Sequence, residues 1–381
     1  MNGDKKAFNL SGGIKKIIPD RIKEARIYRG LAQKELADMV GVTKQSICNY
    51  EKNLNEPTTE VLIRLSEALR FPINFFYKQR RTIDDAGEVY FRSSAIPAKT
   101  KEMLEQKLRF LANDIVGFVE DYINLPELDI IDVPYKSEYS KNDIIRIAKQ
   151  LRQYWGLSSK PIPNLTYVMQ EHGCVIARLS LDSNRTDGYT KWINGRPITF
   201  LNTEKDAAVR ARFTLAHELG HIILHRNLKP GEDIKRREKE SNYFAGEFLF
   251  PSDSALDEII NISLDSFIPI KLKWKVSIGV IVRRCLDLDL ITEDRFTLMQ
   301  KQISKRRWRT FEPLDDMIEV EKPQLFKEAF TLLNENNILS KDEIMDLIAF
   351  DKNELIELCC LPHDFFSDGQ LSIKPKLRIV K

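Results

Sequence analysis

Long apolar runs are missing from the 381 residues. None approaches the roughly 18 consecutive apolar residues that a membrane span needs. Net charge is nearly missing too, at +3 from 59 Lys or Arg and 56 Asp or Glu, so the chain as a whole is neither polyanion nor polycation. Cysteine is sparse and odd in number. Cys48, Cys174, Cys285, Cys359 and Cys360 form no CxxC pair, which argues against a disulfide framework or a zinc knuckle and for reduced core thiols. The opening Met-Asn-Gly-Asp-Lys-Lys lacks the apolar core of a secretory signal, so a cytoplasmic location with no membrane partner is expected. What is present, 43% hydrophobic and 30% charged residues, suits a soluble chain of two or three domains. Histidine is scarce at five residues, yet three of them, His217, His221 and His225, fall within nine positions.

The charge is unevenly spread. Between Ile14 and Arg81 stand fourteen Lys or Arg against eight Asp or Glu, a local +6 that leaves the remainder at −3. A basic N-terminal segment suits an anionic polymer. The segment reads as short helices: one ending near Gly30, one over Leu31–Met39 with Leu36 and Ala37 at helical spacing, and a turn at Gly41-Val42. Thr43 then caps a helix through Lys44, Gln45, Ser46, Ile47, Cys48, Asn49 and Tyr50. Two short helices joined by a Gly-containing turn make a helix-turn-helix, whose second helix enters the major groove by its N-terminal end. Gln and Asn pair with adenine edges, and Lys reaches guanine or phosphate. The run QKELADMVGVTKQSICNYEKNLNEPTTEVLIRLSEAL resembles the XRE (Cro-type) helix-turn-helix family. The resemblance implies double-stranded DNA as partner, a homodimer on paired half-sites, and Gln33, Thr43, Lys44, Gln45, Ser46 and Asn49 as the DNA-binding residues. Lys52-Asn53-Leu54-Asn55 stands where many members carry Gly.

Further on, Met103, Leu104, Leu108, Leu111, Ile115, Val116 and Val119 predict one long helix over Lys99–Ile123, and Asn142–Trp155 predicts another. From Gly173 the period changes to two. Cys174–Leu179, Gly188–Ile193 and Arg196–Asn202 read as strands, and Asn194-Gly195 is a hairpin cue, so a small antiparallel sheet is expected. Thr203 is placed to cap the next helix, with Asp206 at the capping-box position.

That helix, DAAVRARFTLAHELGHIILH, contains His217-Glu218-Leu219-Gly220-His221. An HExxH on a helix sets two imidazoles one turn apart on one face, able to bite one metal ion, with Glu218 beside the first as general base. Zinc suits imidazole nitrogen and carboxylate oxygen, and one Zn2+ per chain is expected, needing a third protein ligand. His225 lies about 80° further round the helix, too near to curl back as that ligand, and reads as a helix-end or substrate-facing group. The next helix, RREKESNYFAGEFLFP, offers Glu238 as ligand and Asn242, one turn on, as its support for a ligand imidazole. Glu240 is the alternative, but it points about 200° away, so only one of the two carboxylates faces the site.

These residues, with Phe244-Ala245 and Leu249-Phe250-Pro251, are similar to the ImmA/IrrE family of zinc metallopeptidases over about residues 140 to 255. Ser241 stands where that family commonly has Ala. The resemblance implies a regulatory zinc endopeptidase that cleaves a helix-turn-helix repressor, its protein substrate, and so derepresses stress, prophage or mobile-element genes. It also implies an edge strand that holds substrate extended, for which Ile198, Thr199, Phe200, Leu201 and Asn202 are the candidates. Tyr189 and His225 are candidates for an oxyanion donor. A reading from another class makes the chain a transcriptional regulator whose peptidase-like domain senses a ligand without proteolysis.

The expected fold is α+β and multidomain: an all-α helix-turn-helix bundle, a zincin-like small antiparallel sheet with the HExxH helix, and a helical C-terminal region. The expected divisions are 14–80 for DNA binding, 81–139 as a helical linker, 140–255 for the metallopeptidase and 256–381 for a mostly helical domain. Within the last, Lys301–Arg309 (KQISKRRWR) is basic and reads as a solvated loop.

Overall fold

Proline opens a helix well because its missing N–H is one that the first turn leaves unbonded, and Pro19 begins α1 (Pro19–Tyr28). The computed structural model describes residues 16–81, 90–91, 97–180, 187–203, 207–226 and 233–367, so the expected domain start at 14 and the capping residue Asp206 lie outside the described residues. Gly41, at φ 72°, closes α2 (Gln33–Val40) in the left-handed conformation. Thr43 then accepts a hydrogen bond from Ser46 N at 3.1 Å and starts α3 (Lys44–Glu51). With α4 (Thr59–Leu69), these helices close over Ile22, Ala25, Leu36, Ala37, Ile47, Leu62 and Leu65. Met39, counted with the apolar stripe in the sequence, is 56% exposed, because Leu36, Ala37 and Val40 already fill the inward face of α2.

The expected long helix is present with a defect in its middle. It runs as α5 (Ala98–Phe110), a π-helical turn (Leu111–Val116) and α6 (Gly117–Glu120). All six residues of the π turn are buried, including Asp114, which pairs with Arg21 at 3.0 Å and Lys78 at 3.3 Å. Among the described residues, the expected linker over 81–139 takes its helical content from this stretch. Its helix ends at Glu120, and residues 124–139 form no helix before α7 (Lys141–Tyr154). Leu125 and Pro126 follow within a few residues of that end, and proline cannot continue a helix.

After α8 (Leu165–Glu171), β2 (Val175–Leu179), β3 (Gly188–Ile193) and β4 (Arg196–Asn202) join the short β1 (Tyr90–Phe91) in one sheet of order β1-β3-β4-β2. Asn194 and Gly195, at φ 52° and 74°, make the β3–β4 turn, as both central positions of a type I′ turn require. The sheet is mixed rather than antiparallel. β2 lies parallel to β4, Val175 opposite Ile198 and Leu179 opposite Asn202. The hairpin cue fixes only the β3–β4 pair, and nothing local to β2 specifies its partner. β4 is therefore internal, hydrogen-bonded on both sides.

Both faces of the sheet are covered. Val175, Ala177, Leu179, Tyr189, Ile193, Ile198 and Phe200 point into one core, shared with the helix-turn-helix, α5 and α6. The same core takes in α15 (Leu325–Glu335), α16 (Lys341–Ile348) and α17 (Lys352–Leu358). Ile176, Trp192 and Leu201 point into a second core with α7, α8, α9 (Ala208–Leu224) and α10 (Ile234–Leu249). After α11 (Ser252–Glu258), α12 (Phe267–Trp274), α13 (Ile278–Asp287) and α14 (Glu293–Lys305) belong to that second core as well. The boundary expected at 255/256 thus cuts through one core, and the C-terminal third divides between two. Aromatic rings tie its end to the DNA-binding head: Phe350 lies 4.4 Å from Phe110, 5.3 Å from Phe71 and 5.6 Å from Tyr28. Arg29 pairs with Glu354, and Asn74 Nδ2 donates to Asp346 O at 2.9 Å. The basic stretch Lys301–Arg309, expected as a solvated loop, is corrected in its first half: residues 301–305 end α14, whose Ile303 is buried in the second core, while the turn that follows is exposed apart from the half-buried Trp308, and its Arg306 pairs with Asp265 at 2.5 Å.

Candidate metal centre and DNA-reading helix

Helix α9 is buried along most of its length, from Ala208 and Val209 through Leu215, Ala216, Leu219 and Ile222, which is why it sits between the sheet and α10. Its N-cap is Ala207 with no side-chain bond, so the cap expected at Thr203 is not made; Thr203 lies four residues too early. Asp233 caps α10, accepting from Lys235 N at 2.9 Å and Arg236 N at 3.4 Å. The two helices pack closely at Gly220, where an added Cβ would meet Ser241 Cα at 3.1 Å and Phe244 Cδ1 at 3.2 Å. A glycine inside the HExxH sequence thus lets α10 carry its side chains up to the imidazoles of α9.

The geometry that results is compact. His217 Nε2 and His221 Nε2 are 3.1 Å apart, and the Glu238 carboxylate reaches each of them at 3.4 Å. One ligand atom from each of the three residues lies within 4.8 Å of the other two. His217 and Glu218 are fully buried, and Glu238 at 20% is the member of the cluster that reaches solvent. Asn242 Oδ1 stands 3.1 Å from His217 Nδ1, so that nitrogen carries the proton and Nε2 turns its lone pair to the cluster. Burial pushes the His221 and His225 imidazoles down to about 3. Two imidazole nitrogens and a carboxylate, aimed at one point, fit a divalent cation. Three protein ligands leave a fourth position open, as in catalytic rather than structural sites.

Other expectations fall elsewhere. Glu240 turns away from the cluster and accepts from His225 Nε2 at 2.8 Å. His225 is 1% exposed and faces His221, so it is not a substrate-facing group. Tyr189 is fully buried in the other core, its hydroxyl 3.4 Å from Leu104 O, and cannot serve as an oxyanion donor. The substrate strand Ile198, Thr199, Phe200, Leu201 and Asn202 is also corrected. These residues form the internal β4, which is buried and paired on both sides and offers no free edge. Sequence reading missed the His225–Glu240 contact, since fifteen residues separate the two.

On the N-terminal head, Thr43, Lys44 and Gln45 are exposed on the first turn of α3 with Ser46 and Asn49 half-buried beside them. Gln45 Nε2 donates to Asn49 Oδ1 at 2.8 Å, so the two amides stand as a pair one turn apart. Gln33 differs from the rest. Its amide donates to Glu51 at 2.8 Å, the buried carboxylate that also takes Arg26 at 2.5 Å.

A helix-turn-helix on a basic head and an HExxH cluster on a second core define a helix-turn-helix protein with a peptidase-like domain. Comparison with known families agrees: residues 22–76 match a helix-turn-helix domain, and residues 169–286 match the IrrE N-terminal-like domain of peptidase family M78. The chain therefore joins an XRE-type helix-turn-helix to an IrrE-like M78 domain. Among similar proteins is the SPbeta prophage-derived uncharacterized HTH-type transcriptional regulator YonR of Bacillus subtilis, 31% identical over 18% of this chain and 65% of its own length. The HTH-type transcriptional regulator ImmR of the same organism is 24% identical over 25% of this chain and 73% of its own. The uncharacterized HTH-type transcriptional regulator YqaE is 29% identical over 32% of this chain and 97% of its own. The chain thus spans just under two thirds of the first of these relatives. Among the described residues, no helix is long and apolar enough to cross a membrane.

Proposed function

We propose that the protein is a DNA-binding, zinc-dependent endopeptidase that cleaves a helix-turn-helix repressor and so derepresses genes. The observation that carries this reading is the convergence of His217, His221 and Glu238 on one point, with Glu218 next to the first of them on α9. Imidazole and carboxylate donors suit zinc, which when bound polarises a peptide carbonyl and makes water acidic enough to attack near neutral pH. His217, His221 and Glu238 would hold the ion, and Asn242 fixes the ring of His217. Glu218 takes a proton from the attacking water on its carboxylate and delivers it to the leaving amine nitrogen as the C–N bond breaks. The head binds DNA through Thr43, Lys44, Gln45, Ser46 and Asn49, as a homodimer on paired half-sites.

The deciding experiment incubates the zinc-loaded protein with the helix-turn-helix repressor encoded beside it and follows cleavage by mass spectrometry. Glu218→Gln is expected to keep one zinc per chain and lose cleavage; a variant that still cuts removes Glu218 from the role of base. In a footprint, Gln45→Ala with Asn49→Ala is expected to lose sequence preference, and an unchanged footprint removes α3 from the groove. A second reading, a regulator whose M78 domain senses without cutting, is favoured by one observation: β4, the expected substrate strand, has no free edge. Zinc binding without cleavage of any neighbouring repressor would establish that reading in place of the first.

A further inference from the structure

His225 and Glu240 stand outside the cluster of ligands, yet both are buried, at 1% and 6% exposure. Glu240 is fixed by two contacts. Its Oε1 accepts the backbone N–H of Tyr139 at 3.1 Å, and its Oε2 faces His225 Nε2 at 2.8 Å. The Arg236 guanidinium lies 3.5 Å from the first of these oxygens. A carboxylate only accepts, so His225 donates through Nε2–H. A neutral imidazole has one N–H, which leaves His225 Nδ1 as an acceptor. That nitrogen faces His221 Nδ1 at 3.0 Å and the buried Ser241 hydroxyl at 3.4 Å. His221 therefore donates through Nδ1–H. Its Nε2 is left as a bare lone pair, aimed at the same point as His217 Nε2 and Glu238.

We propose that Glu240 and His225 form a hydrogen-bond relay that sets which ring nitrogen of His221 carries its proton, and thereby readies His221 as a metal ligand. Neither residue touches the ion; they are positioning residues, anchored at the far end by the Tyr139 backbone. Ser241, where the resemblance to ImmA/IrrE proteins would place alanine, supplies a second donor to His225 Nδ1 and reinforces the same tautomer. The opposite arrangement would set a carboxylate against a bare nitrogen at one end and an N–H against the cation at the other. The relay deepens the metal-centre reading and rests on it for its purpose, though the proton positions exist without metal.

The test substitutes Glu240→Gln in the full chain. The Tyr139 N–H holds the amide oxygen, so the new NH2 faces His225 Nε2 and reverses every proton in the series. Nitrogen-15 NMR of histidine-labelled, metal-free protein is expected to show His221 protonated at Nδ1 in the wild type and at Nε2 in the variant. Zinc affinity by chelator competition is expected to fall about 10–100-fold, the range for lost partners of ligating histidines. Glu240→Asp, which keeps the carboxylate, is expected to retain the wild-type tautomer. Wild-type His221 protonated at Nε2 overturns the relay, as does Glu240→Gln with zinc affinity within about twofold of wild type. If Glu240→Gln fails to fold, the wild-type and Glu240→Asp spectra still decide. Wild-type protein that binds no zinc yet shows the Nδ1 proton on His221 sinks the metal reading while leaving the relay in place.

Discussion

Replacing Gly220 by alanine separates helix stability from metal geometry. The new Cβ would lie 3.1 Å from Ser241 Cα, 3.3 Å from Ser241 Cβ and 3.2 Å from Phe244 Cδ1. Carbon atoms rest about 3.5–4.0 Å apart, so α10 must recede by a few tenths of an ångström, and a backbone atom cannot rotate out of the way. Two terms oppose each other in stability. Alanine is better than glycine inside a helix by about 0.8–1.0 kcal/mol. Overfilling a packed core costs about 1–3 kcal/mol. Their difference is a loss of about 0–2 kcal/mol, read by urea unfolding of the metal-free protein. Metal affinity has no helix-propensity gain to offset it. Ser241 is three residues past Glu238 on the same helix, and coordination distances tolerate only about 0.2 Å. Zinc affinity is therefore expected to fall about tenfold, or about 1.4 kcal/mol, by chelator competition. A variant that gains about 1 kcal/mol in stability and binds zinc as wild type does would refute the idea that this close approach sets the ligand geometry.

Two further perturbations probe the rest of the molecule. Phe350→Ala removes a ring that is 3% exposed and packed against Phe110, Phe71 and Tyr28, and is expected to cost about 3–5 kcal/mol. Amide exchange should then rise in α1 as well as in α16; a rise confined to the C-terminal helices would show that the head stands without them. For pH, the sign follows from burial, which holds folded His221 and His225 at about 3, well below the ordinary imidazole value of about 6.5. Between those limits the unfolded chain binds protons that the folded chain refuses, so metal-free stability falls as the solution is acidified from about pH 6.5 towards 3. The slope is at most about 1.4 kcal/mol per pH unit for each histidine, and urea midpoints unchanged between pH 7 and 5 would contradict it.

How much of this was legible in the sequence depends on how local each signal is. Helix α3 begins at Lys44 as expected, because its start depends on Thr43 and the left-handed Gly41, both within three residues of it. The β3–β4 hairpin is equally local. The place of β4 in the sheet is not, since alternation announces a strand without naming its neighbours, and the parallel partner β2 lies about twenty residues away. The π turn escaped for a related reason. A 3.6-residue stripe leaves Asn113 and Asp114 on the polar side, whereas the wider turn buries both and gives Asp114 to Arg21 and Lys78. Glu240 was visible only as a rival to Glu238; its contact with His225 depends on how α9 and α10 pack, and that depends on Gly220.

The same sheet bears on both cores at once. Its strands send Tyr189, Ile198 and Phe200 towards the core that α5 and the reading head share, and Trp192 and Leu201 towards the core beneath α9. Because side chains alternate, a slip of one residue in β4 would exchange the two sets, so a single register serves both cores. Thr190 and Thr199 pin that register from within, their hydroxyls 2.8 Å apart across the strands and fully buried. A tethered pair of modules would leave the head free to move as a body. Here α17 and α5 rest on the sheet, and α1 rests on α5. A displacement of the sheet under α9 therefore meets α5 directly on its opposite face, and α5 in turn touches the first helix of the DNA-binding head.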